Sequence, residues 1–144
     1  MLFSLNKLFS QDMLQDFKSK SFEFRYPKKW KVDTVDNKYS FYYNANLGDI
    51  TISTHPNKHF SGKELKQMLL DINEKKEAKP DIQLTTSNGT TTCIYKYSVE
   101  KIKYFVKAIQ NDKKIYLISL NWYEDSWDAF KEILLDSFNS FKPK

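Results

Sequence analysis

Hydrophobic and polar residues alternate along several short stretches of the chain, which is the pattern of half-buried β-strands. The first stretch begins at Phe22 and ends at Pro27, because proline has no amide hydrogen to give to a neighbouring strand. After Lys28 and Lys29 the alternation resumes at Trp30. The pattern predicts strands over residues 22–26, 30–33, 39–43, 50–52, 82–84, 93–99, 102–108 and 115–122.

Three other segments repeat their hydrophobic residues every three or four positions, as amphipathic helices do. In the middle segment Ser61 precedes Glu64 in a capping-box arrangement, and Pro80 ends the helix. The C-terminal helix is predicted to begin at a cap on Asp125 or Ser126. The hydrophobic stripes are Leu2, Leu5, Phe9, Met13 and Phe17; Leu65, Met68, Leu69 and Ile72; and Trp127, Phe130, Leu134, Phe138 and Phe141.

The order of these elements predicts the fold class. A helix, four strands, a helix, four strands and a final helix indicate an α+β fold with a large antiparallel sheet flanked by helices, an α/β/α sandwich. The stretch IYLISLNW, residues 115–122, is hydrophobic on both faces and is predicted to be a central strand. Residues 1–20 form an extra N-terminal amphipathic helix in this scheme, and residues 21–144 form a single domain.

The composition is that of one globular domain. With 144 residues, of which 40% are hydrophobic and 28% charged, the chain is long enough to bury a substantial core and too hydrophobic to be disordered. The single cysteine, Cys93, cannot form an intramolecular disulfide. The N-terminus lacks the basic region and the cleavage site of a signal peptide. These features predict a cytoplasmic protein.

Few residues are suited to catalysis or to metal binding. A nucleophile needs a base and a group that orients it, yet Cys93 lies on a hydrophobic strand face. The only histidines, His55 and His59, have the spacing of a helical metal site, but Pro56 and Asn57 place them in a loop without further ligands. We therefore predict no catalytic residue, no metal and no cofactor, and a protein that is not an enzyme.

The net charge of +5 comes almost entirely from lysine, since Arg25 is the only arginine. Arginine recognises phosphates and bases better than lysine does, so this composition argues against nucleic-acid binding. Lysines do surround Phe105 on the predicted strands 93–99 and 102–108 and the turn between them. This arrangement is typical both of a surface that binds single-stranded nucleic acid and of a sheet face that lysines keep soluble. These lysines are Lys96, Lys101, Lys103 and Lys107. The N-terminal helix lacks the basic excess that favours anionic lipid, so membrane binding is not expected.

Several stretches resemble those of a known superfamily. FEFRYPKKWKV, residues 22–32, joins an aromatic strand, the pair YP and a tryptophan, and the last helix ends in LLDSFNSF, residues 134–141. Over residues 21–142 the sequence is similar to the PsbP-like superfamily, which includes the photosystem subunit PsbP, the Ran-binding Mog protein and many uncharacterised bacterial domains. The resemblance implies the PsbP-like fold and a place in the uncharacterised bacterial branch.

Members of this superfamily mostly act as protein-binding adaptors or chaperones, so the resemblance implies a module of that kind. No stretch matches the Ran-binding surface of the Mog protein or the metal-linked residues of PsbP, and neither function is carried over.

We predict a bacterial, cytoplasmic, non-enzymatic module that binds another protein or a second copy of itself. One alternative is a small-ligand-binding protein or enzyme that uses a cleft between sheet and helix. Another is a nucleic-acid-binding protein that uses a lysine-rich sheet face. The candidate protein-contact residues are Lys28, Lys29, Lys31, Lys103, Phe105 and Lys107.

Overall fold

The computed structural model describes residues 13–44, 46–72 and 81–144. A short 3-10 turn, Glu124–Ser126, precedes the second of the two helices in these ranges. The elements in chain order are β1 (Leu14–Lys18), β2 (Phe22–Pro27), β3 (Lys31–Val35), β4 (Lys38–Tyr42), β5 (Gly48–Pro56), α1 (Gly62–Ile72), β6 (Asp81–Ser87), β7 (Thr90–Val99), β8 (Ile102–Gln110), β9 (Lys114–Tyr123), α2 (Trp127–Asn139) and β10 (Lys142–Pro143).

The strands form two antiparallel sheets rather than the one large sheet predicted. Seven strands lie in the order β3-β4-β5-β9-β8-β7-β6, whereas β1, β2 and β10 form a separate three-stranded sheet. The chain changes sheet at the turn after β2, where Lys29 has a φ of 72° and the Trp30 amide donates to the Pro27 carbonyl oxygen (3.3 Å). The predicted α+β class, with a mostly antiparallel sheet and helices, is confirmed.

The seven-stranded sheet is covered on both faces. On one face α1 packs Leu65 and Leu69 against Cys93 and other residues of the sheet. On the other face α2 and the small sheet enclose a larger, mainly aromatic core. Strand β9 is the fourth of the seven strands, and its Ile115 and Ile118 point into different cores. The prediction that residues 115–122 form a central strand is therefore confirmed.

The predicted capping box is confirmed by its hydrogen bonds, and the next turn in the described chain is a tight hairpin. The Ser61 amide donates to Glu64 Oε1 (3.1 Å) and the Glu64 amide donates to Ser61 Oγ (3.2 Å), which completes the capping box. Asn88 and Gly89 have φ values of 51° and 77°, as a tight hairpin between β6 and β7 requires. The predicted end of α1 at Pro80 lies outside the described residues.

The start of α2 differs from the prediction of a side-chain cap. Ser126 occupies the N-cap position without a capping hydrogen bond from its side chain. Its hydroxyl donates instead to the Tyr123 carbonyl oxygen (3.2 Å), because the 3-10 turn brings that oxygen within reach.

The predicted N-terminal helix is wrong for the part that the structure describes. Leu14–Lys18 forms β1, which pairs antiparallel with β2, and residues 1–12 lie outside the described ranges. Phe17 favours the strand because its ring packs among four others, including Phe22 at 5.9 Å and Phe41 at 5.2 Å between centroids. The strand also lies before residue 21, where the sequence placed the start of the domain.

Candidate binding clefts

Three of the six predicted contact residues lie on the surface where the chain passes from one sheet to the other. Lys28 and Lys29 form the turn between β2 and β3, and Lys31 begins β3. All three side chains are exposed. Lys28 and Lys29 also line a cleft against α2, so the sequence placed two contact residues at a concave surface.

The other three predicted contact residues lie on β8, beneath α2. Lys107 is only 8% exposed, its ammonium donates to the Phe138 carbonyl oxygen (3.4 Å), and burial lowers its pKa. Phe105 is half-buried and stacks on Trp127 at 5.0 Å between centroids. The half-buried Lys103 holds its ammonium 5.8 Å from the same indole.

Lys107 is therefore wrong as a surface contact, and Phe105 is only partly accessible because Trp127 stacks on one face of its ring. Strand alternation shows that these residues share a face, but it does not show that α2 covers that face. The nucleic-acid alternative is weakened for the same reason, because one face of its stacking ring is already occupied by Trp127.

A cleft of about 590 Å³ lies between the β2–β3 turn and the first half of α2. We call it the turn–helix cleft. Its apolar lining residues are Met13, Pro27, Trp30, Tyr43, Ala129, Phe130 and Ile133. Met13 and Tyr43 are 56% and 58% exposed, so large apolar side chains remain in contact with solvent at this cleft.

Aromatic stacking anchors the wall of the turn–helix cleft to the centre of the large sheet. The Trp30 indole lies parallel to that of Trp122, with centroids 5.8 Å apart and an interplanar angle of 4°. Phe130 of α2 packs on the same ring at 5.3 Å. Trp122 is fully buried on β9, so these two rings of the cleft wall are packed against the core.

Charged residues of both signs surround the apolar part of this cleft. They are Lys28, Lys29, Asp128, Lys131 and Glu132. Lys131 Nζ lies 3.9 Å from the Asp128 carboxylate, and both side chains are exposed. An apolar centre with a mixed polar rim is the usual anatomy of a protein-binding surface.

A second cleft, of about 870 Å³, lies on the opposite face of the large sheet, between α1 and the β3–β4 hairpin. Its wall contains a ladder of tyrosines: Tyr97 stacks on Tyr95 at 5.4 Å and on Tyr104 at 4.6 Å, with nearly parallel rings. We call it the tyrosine groove. Burial, together with the neighbouring Tyr104, raises the pKa of Tyr97 to about 12, so the phenol stays neutral at physiological pH.

The tyrosine groove combines a hydroxyl-bearing floor with a rim that is partly apolar and partly charged, the charged residues being Asp36 and Lys38. Thr51, Ser53 and Ser119 of β5 and β9 contribute hydroxyl groups. Ile72 on α1 and Val35 on the β3–β4 hairpin line it and are 54% and 68% exposed. A neutral ligand with both apolar and hydrogen-bonding surface would match these groups.

The histidines and the cysteine lie apart from one another. His55 is at the end of β5, where its Nε2 is hydrogen-bonded to Ser53 Oγ (3.0 Å), and His59 lies in the following loop. Burial raises the pKa of the Cys93 thiol, which keeps it protonated under α1. Within the described ranges no three His, Cys, Asp or Glu side chains are placed to hold a metal ion.

Similarity to known proteins is found at the level of structure. No family model matches the sequence, and no curated protein matches it. The solution structure of cyanobacterial PsbP (CyanoP) from Synechocystis sp. PCC 6803 superimposes with a TM-score of 0.70, over 92% of this chain and 93% of that chain. The chain has the PsbP-like fold. The resemblance read from residues 21–142 is thereby confirmed at the level of fold.

A second solved structure, a protein from Bacteroides thetaiotaomicron VPI-5482, is similar with a TM-score of 0.58. The match covers 92% of this chain but 49% of that protein, so the PsbP-like unit spans about half of the longer chain. Both structures share 15% sequence identity with this chain, so the likeness shows the fold alone. No helix in the described ranges is long and apolar enough to span a membrane.

Proposed function

We propose that this protein is a non-enzymatic protein-binding module and that it holds an apolar segment of its partner in the turn–helix cleft. The observation that carries the proposal is the exposure of Met13 and Tyr43 beside an aromatic wall that the core already holds in place. Exposed apolar groups that surround a cleft are characteristic of interaction surfaces.

Each part of the turn–helix cleft has a role in this proposal. An apolar side chain of the partner packs on Trp30 and Phe130, since the rings of both residues contact the buried Trp122. Lysines on the turn and Asp128 on α2 pair with charges that flank the partner's apolar residues. The mixed signs favour a segment that is amphipathic rather than uniformly acidic or basic.

Site-specific photo-cross-linking in the native cell tests this proposal. A photoreactive amino acid at Lys131, in the cleft, is compared with one at Thr86, an exposed position on β6 at the far edge of the sheet. We expect a discrete protein adduct from position 131 that disappears when Phe130→Asp is added. Equal labelling at both positions, or an adduct that survives Phe130→Asp, would reject the cleft as the binding site.

A second candidate function is the binding of a neutral small molecule in the tyrosine groove. The stacked Tyr97 and Tyr104 rings support it, because such rings accept the flat apolar face of a ligand while the hydroxyl floor fixes its orientation. A metabolite screen by thermal shift, repeated on a variant whose groove is filled by Ser119→Leu, tests it. A stabilising compound whose effect is lost in that variant would favour this function.

We also propose that the protein is cytoplasmic and that a second copy of the chain can serve as its partner in a homodimer. Neither depends on which of the two clefts is used.

A further inference from the structure

The described part of the chain begins inside the turn–helix cleft. Met13, its first residue, lines the cleft, and the Met13 carbonyl oxygen accepts a hydrogen bond from the Lys28 amide (2.7 Å). That bond fixes the start of β1 to the same turn that forms one wall. Residue 12 is bonded to Met13, so the segment 1–12 is attached to the domain at the edge of this cleft.

The sequence of residues 1–12 is suited to an apolar cleft. Half of MLFSLNKLFSQD consists of large apolar side chains, and its two charged residues, Lys7 and Asp12, have opposite signs. Positively and negatively charged residues both lie at the rim of the cleft, so each charge of the segment has residues of opposite charge within the same rim. Leaving so many apolar side chains in water is unfavourable, and the nearest exposed apolar surface is that of Met13 and Tyr43.

Attachment at Met13 favours this segment over competing occupants. A short tether gives a segment an effective concentration in the millimolar range at a site beside its attachment point. A second copy of the chain or a free partner would have to reach a comparable concentration in solution to compete with it. Even in a compact helical form, twelve residues span about 18 Å, enough to extend along the cleft.

We infer that residues 1–12 of the same chain occupy the turn–helix cleft through their apolar side chains, and that a protein partner must displace them. The second half of this statement rests on the proposed function, whereas the first half does not. The partner's apparent affinity would then equal its intrinsic affinity multiplied by the fraction of molecules in which the cleft is open. The protein would then be self-inhibited until a partner with a better-fitting segment is present.

Chemical cross-linking in the full-length chain tests the occupancy of the cleft. Asn6→Cys keeps every apolar side chain of the segment and is combined with Ala129→Cys in the cleft, which is exposed. The matched control pairs Asn6→Cys with Asp16→Cys, an exposed position on β1 about 10 Å from Met13. The native Cys93 is buried and needs no replacement.

We expect a short bismaleimide to join positions 6 and 129 within one chain at least about tenfold faster than positions 6 and 16. Because docking depends on apolar burial, Leu5→Asp with Phe9→Asp should abolish the difference. Equal rates for the two pairs would overturn the inference, since a freely moving tether reaches both sites. A product that joins two chains would overturn it in favour of exchange between copies.

Photo-cross-linking from Lys131, with and without residues 1–12, separates this inference from the proposed function. Stronger partner labelling after removal of the segment supports self-inhibition. If positions 6 and 129 are joined rapidly but no partner is labelled, occupancy stands and the proposed function fails. If the partner is labelled equally in both forms and the cysteines react equally, the proposed function stands and the inference fails.

Discussion

The indole of Trp30 stacks face to face on the fully buried indole of Trp122, with an interplanar angle of 4°. This contact joins the turn between the two sheets to the central strand of the larger sheet. It also places a half-buried aromatic ring in the wall of the turn–helix cleft. Fold stability and the proposed binding surface therefore depend on the same side chain.

Trp30→Ala is expected to destabilise the protein, although the ring is less buried than its strand pattern predicts. Loss of the stack should cost about 2–3 kcal/mol of unfolding free energy, less than the roughly 3–5 kcal/mol typical of a buried aromatic residue. Urea unfolding followed by circular dichroism measures the loss. Tyr43→Ala, at a mostly exposed position of the same cleft, is the control and should cost at most about 0.5 kcal/mol. Equal stabilities for the two variants would contradict the role of the stack.

Gly48→Ala is expected to be strongly destabilising. Gly48 has a φ of 147°, and a β-carbon there would strike the backbone carbonyl of Asn121 on the neighbouring strand. We expect a cost of at least about 2 kcal/mol. Gly89→Ala is the matched control, because Gly89 has a φ of 77° but open space around it, so that only about 1 kcal/mol should be lost. Thermal unfolding of both variants would reveal the difference, and similar melting temperatures would show that the clash is relieved.

Lys107→Met is expected to leave stability at pH 7 unchanged or to raise it. Burial lowers the pKa of Lys107 in the folded protein below the ordinary lysine value of 10.5, so the charged form carries a desolvation cost at neutral pH. Between the lowered folded pKa and 10.5 the unfolded chain binds the additional proton, and stability therefore rises with pH in that window.

Comparison of urea unfolding at pH 7 and pH 10 tests whether stability rises with pH as expected. The contribution of Lys107 is the increase in unfolding free energy from pH 7 to pH 10 that the native chain shows and Lys107→Met lacks. Lys103→Met, which removes a half-buried lysine from the same strand, serves as the control. A marked loss of stability at pH 7 in Lys107→Met would mean that the bond to Phe138 and the contact with its ring, 4.8 Å away, outweigh desolvation.

Truncation at two positions should separate the N-terminal segment from the folded domain. Removal of residues 1–12 should leave a folded protein, because these residues precede β1. Removal of residues 1–19 also deletes β1 and the Phe17 ring, and should cost about 3 kcal/mol or more in addition. Urea unfolding of both proteins, with Phe17→Ala in the full-length chain as a reference, measures this. Equal stability of the two truncated proteins would contradict a structural role for β1.

The fold could be predicted from residues whose pattern reports directly on burial. Residues 115–122 are hydrophobic on both faces, as expected of a central strand, and Ser61 with Glu64 forms a capping box through local hydrogen bonds. The separation into two sheets could not be predicted. The alternation of hydrophobic and polar residues around Phe22 and Val32 shows that one face of each strand is buried, but it does not show to which sheet each strand belongs.

The binding surface was harder to predict than the fold, because it depends on which elements meet. Lys28 and Lys29 could be chosen from an exposed turn, whereas the alternation that places Lys107 on one face of β8 does not show that α2 covers that face. The contribution of Phe130 was missed as a site residue because helical periodicity assigns it only to a buried stripe. At the N-terminus, Met13 and Phe17 fit a helical spacing, yet pairing with β2 determines the conformation there.

A nuclear magnetic resonance titration tests most directly whether a partner segment binds in the turn–helix cleft. The labelled protein lacks residues 1–12 and is titrated with a synthetic peptide. The peptide carries the partner segment identified by cross-linking from position 131. We expect the largest amide shift changes to cluster at Lys28–Trp30 and at Asp128–Ile133, and we expect Phe130→Asp to abolish them. Shift changes centred on Tyr97 and Ser119 instead, or no change at either wall of the turn–helix cleft, would contradict this expectation.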